Sequence, residues 1–172
     1  MEFLKTITRD QTINDIELLT DKERWAAIQD FKQKINFFKK INVLRGLTNK
    51  QYIKLCNISF EKTIPSHEII YKQGDKSNTL YILKEGHIKI YSNNAHITDL
   101  SAINFFGEIG FLSGAPRMIS AITSTNCKIF EINRTNIFTL FKHDDVFMNN
   151  IILNILNELS KLPPKYPGVL NI

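Results

Sequence analysis

Residues 106–117, FGEIGFLSGAPR, combine side chains that together suit the binding of a sugar phosphate. A short helix beginning near Glu108 and ending near residue 112 would offer free amide groups at its N-terminus, and such groups favour an anion. Arg117 adds a permanently charged planar group that matches phosphate oxygens. The Glu108 carboxylate can accept a hydrogen bond from a sugar hydroxyl. Gly107 and Gly110 allow the backbone to approach a ligand closely.

Strands must surround this segment and hold its two ends. Beyond residue 59, short runs rich in Ile, Tyr and Thr alternate with turn residues such as Gly74-Asp75 and Asn93-Asn94. About seven runs at regular spacing predict an antiparallel sandwich or barrel. The runs are FEKTI, EIIYK, TLYILK, HIKIYS, ITDLS, SAITS and KIFEIN. The 106–117 segment lies between the fifth and the sixth of them.

Two helices are predicted before the strands. Thr20 and Glu23 have the spacing of a capping box, in which each side chain satisfies a free amide of the first turn. Thr48 and Gln51 repeat this spacing and predict a second helix. Apolar residues follow each box at near-helical spacing. They are Trp25, Ile28, Ile35 and Phe38 in the first helix, and Tyr52, Ile53, Leu55 and Cys56 in the second.

Two more helices are predicted after the strands. Residues 134–142 form the first, and Asp144 or Asp145 can N-cap the second, which runs to about Leu162 before Pro163-Pro164. The expected fold class is therefore α+β: an antiparallel β-barrel or jelly roll of about seven to eight strands between N-terminal helices and two C-terminal helices. The expected division is an arm (1–19), a helical segment (20–59), a barrel with C-terminal helices (60–162) and a tail (163–172).

Length and composition are those of one globular domain, with 172 residues, 43% apolar and 23% charged. There is no run of 18 apolar residues and no secretory signal pattern, so we expect a cytoplasmic protein. Cys56 and Cys127 are far apart and form no CxxC pair, which favours free thiols over a disulfide. The net charge is +5, but basic and acidic residues are mixed along the chain. The lysines of residues 32–40 are typical of a solvated helix face.

Catalytic and metal sites are not indicated. The four histidines, His67, His87, His96 and His143, include no HxH pair, which argues against a metalloenzyme of the cupin kind. No nucleophile elbow, GKS loop or paired acid–base set is visible. Only ten residues follow Leu162, too few for a recognition helix. We therefore expect no catalytic residue, no metal, no nucleic-acid partner and no membrane insertion.

The 106–117 segment resembles the phosphate-binding cassette of the cyclic nucleotide-binding domain family, and we call it the cassette. The family pattern is F-G-E, two or three small or apolar residues, a short loop, then P-R. The upstream stretch YKQGDKSNTLYILKEGHIKIY is similar to the family's paired strands, and the resemblance covers residues 35–160. It implies that Glu108 binds the ribose 2′-hydroxyl and that Arg117 binds the exocyclic oxygens of the cyclic phosphate.

The resemblance further implies that the amides of Gly107, Gly110 and Met118 lie close to the ligand. It also implies that the helix after Asp144 acts as a lid over the base, moving when ligand binds and transmitting that event to a partner. The expected molecule is a sensor of cAMP or cGMP that acts on a protein partner or a second copy of itself. The alternative is a structural or interaction module of the same fold that binds no ligand.

Three residues depart from the family pattern. Ile103 stands in the turn before the cassette where glycine is frequent, and Ile119 replaces a usual alanine. Met118 stands where the family has Ala, Ser or Thr, and a hydroxyl at this position is associated with cGMP. Met118 therefore favours cAMP over cGMP as the expected ligand.

Overall fold

The computed structural model describes residues 20–161. Its eight strands form two four-stranded antiparallel sheets, with the orders β1-β8-β3-β6 and β2-β7-β4-β5. The strands are β1 (Ser59–Ile64), β2 (Ile69–Tyr71), β3 (Thr79–Glu85), β4 (Ile88–Ser92), β5 (Ala95–Leu100), β6 (Phe105–Phe106), β7 (Ser120–Thr123) and β8 (Cys127–Asn133). This arrangement confirms the predicted fold class, and each of the seven predicted runs overlaps a strand.

Five α-helices and one 3₁₀ helix flank the sheets in this part of the chain. They are α1 (Asp21–Phe38), the 3₁₀ helix (Asn42–Leu44), α2 (Asn49–Asn57), α3 (Glu108–Ser113), α4 (Arg134–Leu140) and α5 (Asp145–Leu159). The expected arm at 1–19 and the tail at 163–172 lie outside the described residues. Helix α5 ends at Leu159, earlier than the predicted Leu162, which is also outside the description.

Both predicted capping boxes are confirmed. Thr20 Oγ1 accepts a hydrogen bond from the Glu23 amide (3.3 Å), and Glu23 Oε2 accepts one from the Thr20 amide (2.8 Å). Thr48 and Gln51 make the same pair of bonds at the start of α2. Of the two predicted N-caps of α5, Asp144 is the one used, since it accepts from the amide of residue 147. These caps satisfy amides that a helix cannot bond internally.

Strand β3 joins two hydrophobic cores. Tyr81 and Leu83 lie in the core between the two sheets, whereas Leu80 and Ile82 lie in a second core beneath the helices. Successive side chains of a strand point to opposite faces, so one strand buried on both sides can connect both cores. The cassette follows β6, which pairs with β3 and is therefore anchored to the strand that both cores hold in place.

Helix α5 packs on the N-terminal helical segment. Its residues Phe147, Ile151 and Ile155 are buried in the same core as α1. Asn154 Nδ2 donates hydrogen bonds to the carbonyls of Val43 (3.1 Å) and Arg45 (2.9 Å). The helix expected to act as a lid is thus held by the segment that precedes the barrel.

One feature predicted from residue types is visible in the described chain. Cys56 and Cys127 are both buried, free thiols, as expected. Residues 20–161 contain no group of three or more His, Cys, Asp or Glu side chains arranged to hold a metal ion. Within the same residues, no helix has the length and apolar character needed to cross a membrane.

Candidate functional site

The cassette forms a short helix between two glycines of left-handed conformation. Strand β6 ends at Phe106, Gly107 (φ +80°) is the N-cap of α3, and Gly114 (φ +72°) follows its last residue. Only glycine adopts this conformation at little cost. A Cβ atom at position 107 would also collide with Nη1 of Arg117. The lack of a side chain at Gly107 therefore allows both the turn into α3 and the observed position of the Arg117 guanidinium.

Arg117 is buried, with 5% of its surface exposed. Its Nη1 donates to the Gly107 carbonyl (2.9 Å) and its Nη2 donates to the Thr79 carbonyl (2.7 Å). Its Cζ lies 4.2 Å from the centre of the Tyr71 ring. A guanidinium has five N–H donors, so these two bonds leave donors for another partner. In particular, the buried Nε–H has no hydrogen-bond partner among residues 20–161.

The positive charge of Arg117 has no close counter-ion among residues 20–161. No carboxylate of the described residues lies within 4.0 Å of it. Burying a charge is costly unless it is paired and hydrogen-bonded. The two carbonyl bonds meet part of that cost, and a bound anion would meet the rest. The site therefore has the electrostatics of an anion receptor.

Glu108 is the first residue of α3 and is half-buried. Burial raises the pKa of its carboxyl above the ordinary 4.5, while its own backbone amide and the charge of Arg117 act in the opposite direction. The fold thus brings the two predicted anchor residues into one electrostatic neighbourhood, without a direct ion pair. A carboxylate and a guanidinium that influence each other without forming an ion pair suit a ligand carrying both a hydroxyl and an anionic group.

The backbone on either side of Arg117 is tied to the β2–β3 turn. The Arg117 amide donates to the Asp75 carbonyl and the Gly74 amide donates to the Arg117 carbonyl, both at 2.8 Å. Met118 follows directly and is half-buried, and Ile119 packs against the core between the sheets. These bonds orient the arginine and place Met118 at the edge of the cassette.

Ile103 adopts a left-handed backbone conformation, with φ at +72° and 47% of its surface exposed. A β-branched residue there is strained, at a cost of about 1–2 kcal/mol. The turn is held by hydrogen bonds between the Ile103 amide and the Leu83 carbonyl (2.9 Å) and between the Leu83 amide and the Asn104 carbonyl (2.8 Å). The position where the family often has glycine therefore keeps a glycine-like conformation in spite of the isoleucine.

Sequence reasoning did not include three residues that the fold adds to the site: Tyr71, Ser77 and Thr79. They lie on β2, in the β2–β3 turn and on β3. Among residues 20–161, four buried side-chain polar atoms lack a hydrogen-bond partner, and three of them are here. These three are Tyr71 Oη, Ser77 Oγ and Arg117 Nε. The alternation of strand EIIYK could have indicated that Tyr71 points inward, but not that it meets Arg117.

Arg134 links the cassette to the C-terminal helices. Its Nε donates to the Phe111 carbonyl (2.7 Å), and its Nη2 donates more weakly to the Leu112 carbonyl (3.4 Å). Its Cζ lies 4.5 Å from the centre of the Phe138 ring on α4. The C-terminal end of α3 and the start of α4 are therefore joined by one side chain.

The match to a known family agrees with this geometry. Residues 61–144 match the model of the family described as Cyclic nucleotide-binding domain. Residues 61–144 belong to this family. The expected resemblance is thereby confirmed, and the cassette, at residues 106–117, lies inside the matched region.

Individual relatives of this domain are regulatory proteins and kinases. The chain is 25% identical over 115 residues to the cAMP-dependent protein kinase type II regulatory subunit of Drosophila melanogaster, covering 67% of this chain and 29% of that protein. It is 33% identical over 101 residues to the cGMP-dependent protein kinase of Plasmodium berghei (strain Anka), covering 56% of this chain and 11% of that protein. The chain thus spans less than a third of these two relatives.

Solved structures share the fold of this cyclic nucleotide-binding domain. The regulatory domain of Toxoplasma gondii PKA, crystallised with cAMP, superposes with a TM-score of 0.67 at 20% identity, covering 80% of this chain and 52% of that one. The regulatory subunit of a cAMP-independent protein kinase A from Trypanosoma brucei gives a TM-score of 0.65 at 22% identity, covering 80% of this chain and 48% of that one. At these identities the likeness establishes the fold.

Replacing Gly110 with alanine is expected to destabilise the domain by about 1–3 kcal/mol, because overpacking a tight contact strains its neighbours. An added Cβ would collide with Ser77 Oγ, lie 2.5 Å from Ser77 Cβ and 2.9 Å from the Ala115 carbonyl. Ser77→Gly should therefore recover part of the loss. Urea denaturation of the parent, both single variants and the double variant measures this coupling. Strictly additive effects would show that Ser77 and Gly110 do not restrain each other.

Proposed function

We propose that this chain is a non-catalytic regulatory module that binds a cyclic nucleotide at the cassette. The observation that carries the proposal is the buried guanidinium of Arg117, which has no carboxylate within 4.0 Å among residues 20–161 and an unpaired Nε–H donor. A cyclic nucleotide carries one negative charge on its phosphate and a free 2′-hydroxyl on its ribose. These are the two groups that Arg117 and Glu108 are chemically suited to bind.

In the proposed complex, the two ends of the cassette contact different groups of the ligand. Arg117 binds the exocyclic phosphate oxygens while it keeps its bonds to the carbonyls of Gly107 and Thr79. The amides of Gly107, Gly110 and Met118 lie close to the sugar phosphate. Glu108 accepts a hydrogen bond from the 2′-hydroxyl. Because two Arg117 donors are already held by the backbone, the guanidinium is oriented before ligand arrives, which lowers the entropic cost of binding.

The proposed ligand is cAMP in preference to cGMP. The relatives include both a cAMP-dependent regulatory subunit and a cGMP-dependent kinase, so family membership is compatible with either nucleotide. The preference rests on Met118, whose thioether accepts hydrogen bonds only weakly. The polar edge of guanine would therefore lose water beside Met118 without gaining a partner. Adenine has fewer polar groups to satisfy at that edge.

The proposed output runs through the C-terminal helices to a protein partner or a second copy of the chain. Arg134 connects the carbonyl end of α3 to α4, and α5 follows directly. Helix α5 buries one face on the N-terminal segment and leaves apolar side chains exposed elsewhere. The exposed residues are Val146, Ile152, Leu153 and Leu156. An apolar surface on the last helix is suited to contact a partner.

Calorimetric titration of the chain with cAMP, cGMP and a cyclic dinucleotide tests the proposal. We expect saturable binding of cAMP with one site per chain, weaker binding of cGMP and no binding of the dinucleotide. If none of the three ligands binds a folded chain, the domain is better described as an interaction module of the same fold that takes no ligand.

Met118→Thr is expected to shift the preference toward cGMP by about tenfold, because one restored hydrogen bond to guanine is worth about 1–1.5 kcal/mol. The measurement is the ratio of the two dissociation constants in the variant and the parent. Met118→Ala is the matched control, since it removes the same thioether without adding a hydroxyl, and its ratio should stay near that of the parent. A parent that already prefers cGMP would contradict the role assigned to Met118.

A further inference from the structure

Tyr71 lies in the site with its ring against Arg117, but its hydroxyl serves no contact assigned so far. It is the last residue of β2 and is 5% exposed. Its ring lies 5.7 Å from the ring of Tyr81 and 6.1 Å from that of Phe106, and the Cζ atom of Arg117 stands 4.2 Å from its centre. The guanidinium of Arg117 is thus packed against the Tyr71 ring, which itself lies beside the rings of Tyr81 and Phe106.

The Tyr71 hydroxyl is buried and makes no hydrogen bond with any described residue. Packing of the ring does not require this oxygen, since phenylalanine would offer the same apolar surface. Buried tyrosine hydroxyls usually find a partner, because leaving one unsatisfied costs stability. The Tyr71 hydroxyl and the Arg117 Nε are thus two unpaired buried donors on side chains that pack against each other, with Cζ of Arg117 4.2 Å from the Tyr71 ring centre, and such a pair suits a common acceptor.

The surroundings of the Tyr71 hydroxyl keep it protonated and therefore able to donate a hydrogen bond. Burial raises the pKa of Tyr71 well above its ordinary value of 10.0, Arg117 opposes this, and Glu108 and Tyr81 reinforce it. The phenol therefore stays protonated at any physiological pH and can donate. Arg117 and Glu108, the two groups proposed to hold the sugar phosphate, both influence the Tyr71 hydroxyl electrostatically.

We propose that Tyr71 is a third ligand-binding residue, whose hydroxyl donates a hydrogen bond to an exocyclic oxygen of the cyclic phosphate bound by Arg117. This inference rests on the proposed function, because it names a further contact of the same site. It explains why a tyrosine occupies a buried position of β2 where the ring alone would satisfy packing. It also gives the phosphate a neutral donor beside the charged one, without adding a second buried charge.

Tyr71→Phe separates this role from a structural one. The variant should bind cAMP about tenfold more weakly than the parent, the effect of losing one hydrogen bond to a charged group. Its ligand-free melting temperature should not fall, because the lost hydroxyl has no protein partner. A variant with parental affinity would overturn the proposal. So would a variant that loses stability in the absence of ligand.

Tyr52→Phe is the matched control. Tyr52 is also 5% exposed, but its hydroxyl donates to the Leu44 carbonyl at 2.8 Å, away from the cassette. This variant should show the opposite pattern, with a lower melting temperature and parental cAMP affinity. Loss of affinity in both variants would indicate a general effect of removing buried hydroxyls and would overturn the specific role of Tyr71.

Phosphorothioate analogues identify the oxygen that Tyr71 contacts. The two diastereomers of the cAMP analogue each replace one exocyclic oxygen with sulfur, a poorer acceptor. The penalty of Tyr71→Phe should shrink for one diastereomer and persist for the other. An equal penalty for both would place the hydroxyl's partner elsewhere on the ligand and overturn the phosphate contact.

If the parent itself binds no cyclic nucleotide, the proposed function fails; if the parent binds and Tyr71→Phe binds equally, only the present inference fails.

Discussion

Arg117→Ala is expected to lower cyclic-nucleotide affinity roughly a hundredfold or more. The reason is the burial of its charge, which makes a hydrogen-bonded pair with phosphate worth several kcal/mol in a site shielded from water. Truncation also frees the carbonyls of Gly107 and Thr79 and removes the group packed on the Tyr71 ring. Titration of parent and variant with the same preparation of cAMP measures the loss.

Arg117→Lys is the control for charge alone. A lysine keeps the positive charge, but its compact ammonium cannot bond both carbonyls and stack on Tyr71 as a planar guanidinium does. Its affinity should lie between those of the parent and the alanine variant. Melting curves of the ligand-free proteins check that both variants fold. A folded Arg117→Ala variant with parental affinity would refute the assignment of the cassette as the ligand site.

Glu108→Gln is expected to weaken binding about ten- to a hundredfold, less than Arg117→Ala. A charge-assisted hydrogen bond to the 2′-hydroxyl is worth about 1.5–3 kcal/mol, and the amide retains a neutral acceptor. The 2′-deoxy analogue should bind the parent more weakly than cAMP, and this difference should shrink in the variant. Glu131→Gln is a suitable control, because Glu131 lies on β8 and pairs with Lys62 at 3.5 Å, so that its loss should leave affinity unchanged.

The same Glu108→Gln substitution should stabilise the ligand-free protein near neutral pH. Burial raises the pKa of Glu108 above 4.5, so the folded state holds this proton more tightly than the unfolded chain. Ionising Glu108 therefore costs the parent stability as pH rises from 4.5 through the raised pKa, and the glutamine variant avoids that cost. The difference in unfolding free energy should grow in favour of the variant over this interval. A difference independent of pH would show that the Glu108 carboxyl is not destabilised by its site.

The elements that depend on near neighbours in sequence follow directly from residue types. Both capping boxes join residues three apart, and the N-cap at Asp144 reaches an amide three residues on. Gly107 and Gly114 bound the cassette helix because the left-handed turns at its ends favour glycine. Within such short spans the side chain and its target are held close whatever the rest of the chain does. The helices, most strands and the cassette could therefore be predicted.

Helix α1 shows where the same reasoning stops. The apolar repeat includes Trp25, yet 65% of Trp25 is exposed, whereas Phe31, which lies on the same helical face as the rest of the repeat, is buried. A helical pattern indicates which residues share a face, but the opposing surface decides how much of that face is covered.

Strand β6 was not predicted for a related reason. Its two residues, Phe105 and Phe106, are too few for a periodic pattern and are defined by pairing with β3.

The types of group in the site can be read from the residues alone, whereas the environment of each group depends on the folded chain. Glu108 and Arg117 were identifiable as a hydroxyl acceptor and a phosphate partner, because those are properties of the side chains. The burial of Arg117, its bond to the Thr79 carbonyl and its packing on Tyr71 involve residues 38 and more positions away. Such contacts arise from sheet register and from the packing of two sheets, which local residue patterns do not encode. The buried Arg117 charge has carbonyl partners but no carboxylate within 4.0 Å among residues 20–161, and this makes the cassette a site suited to an anion.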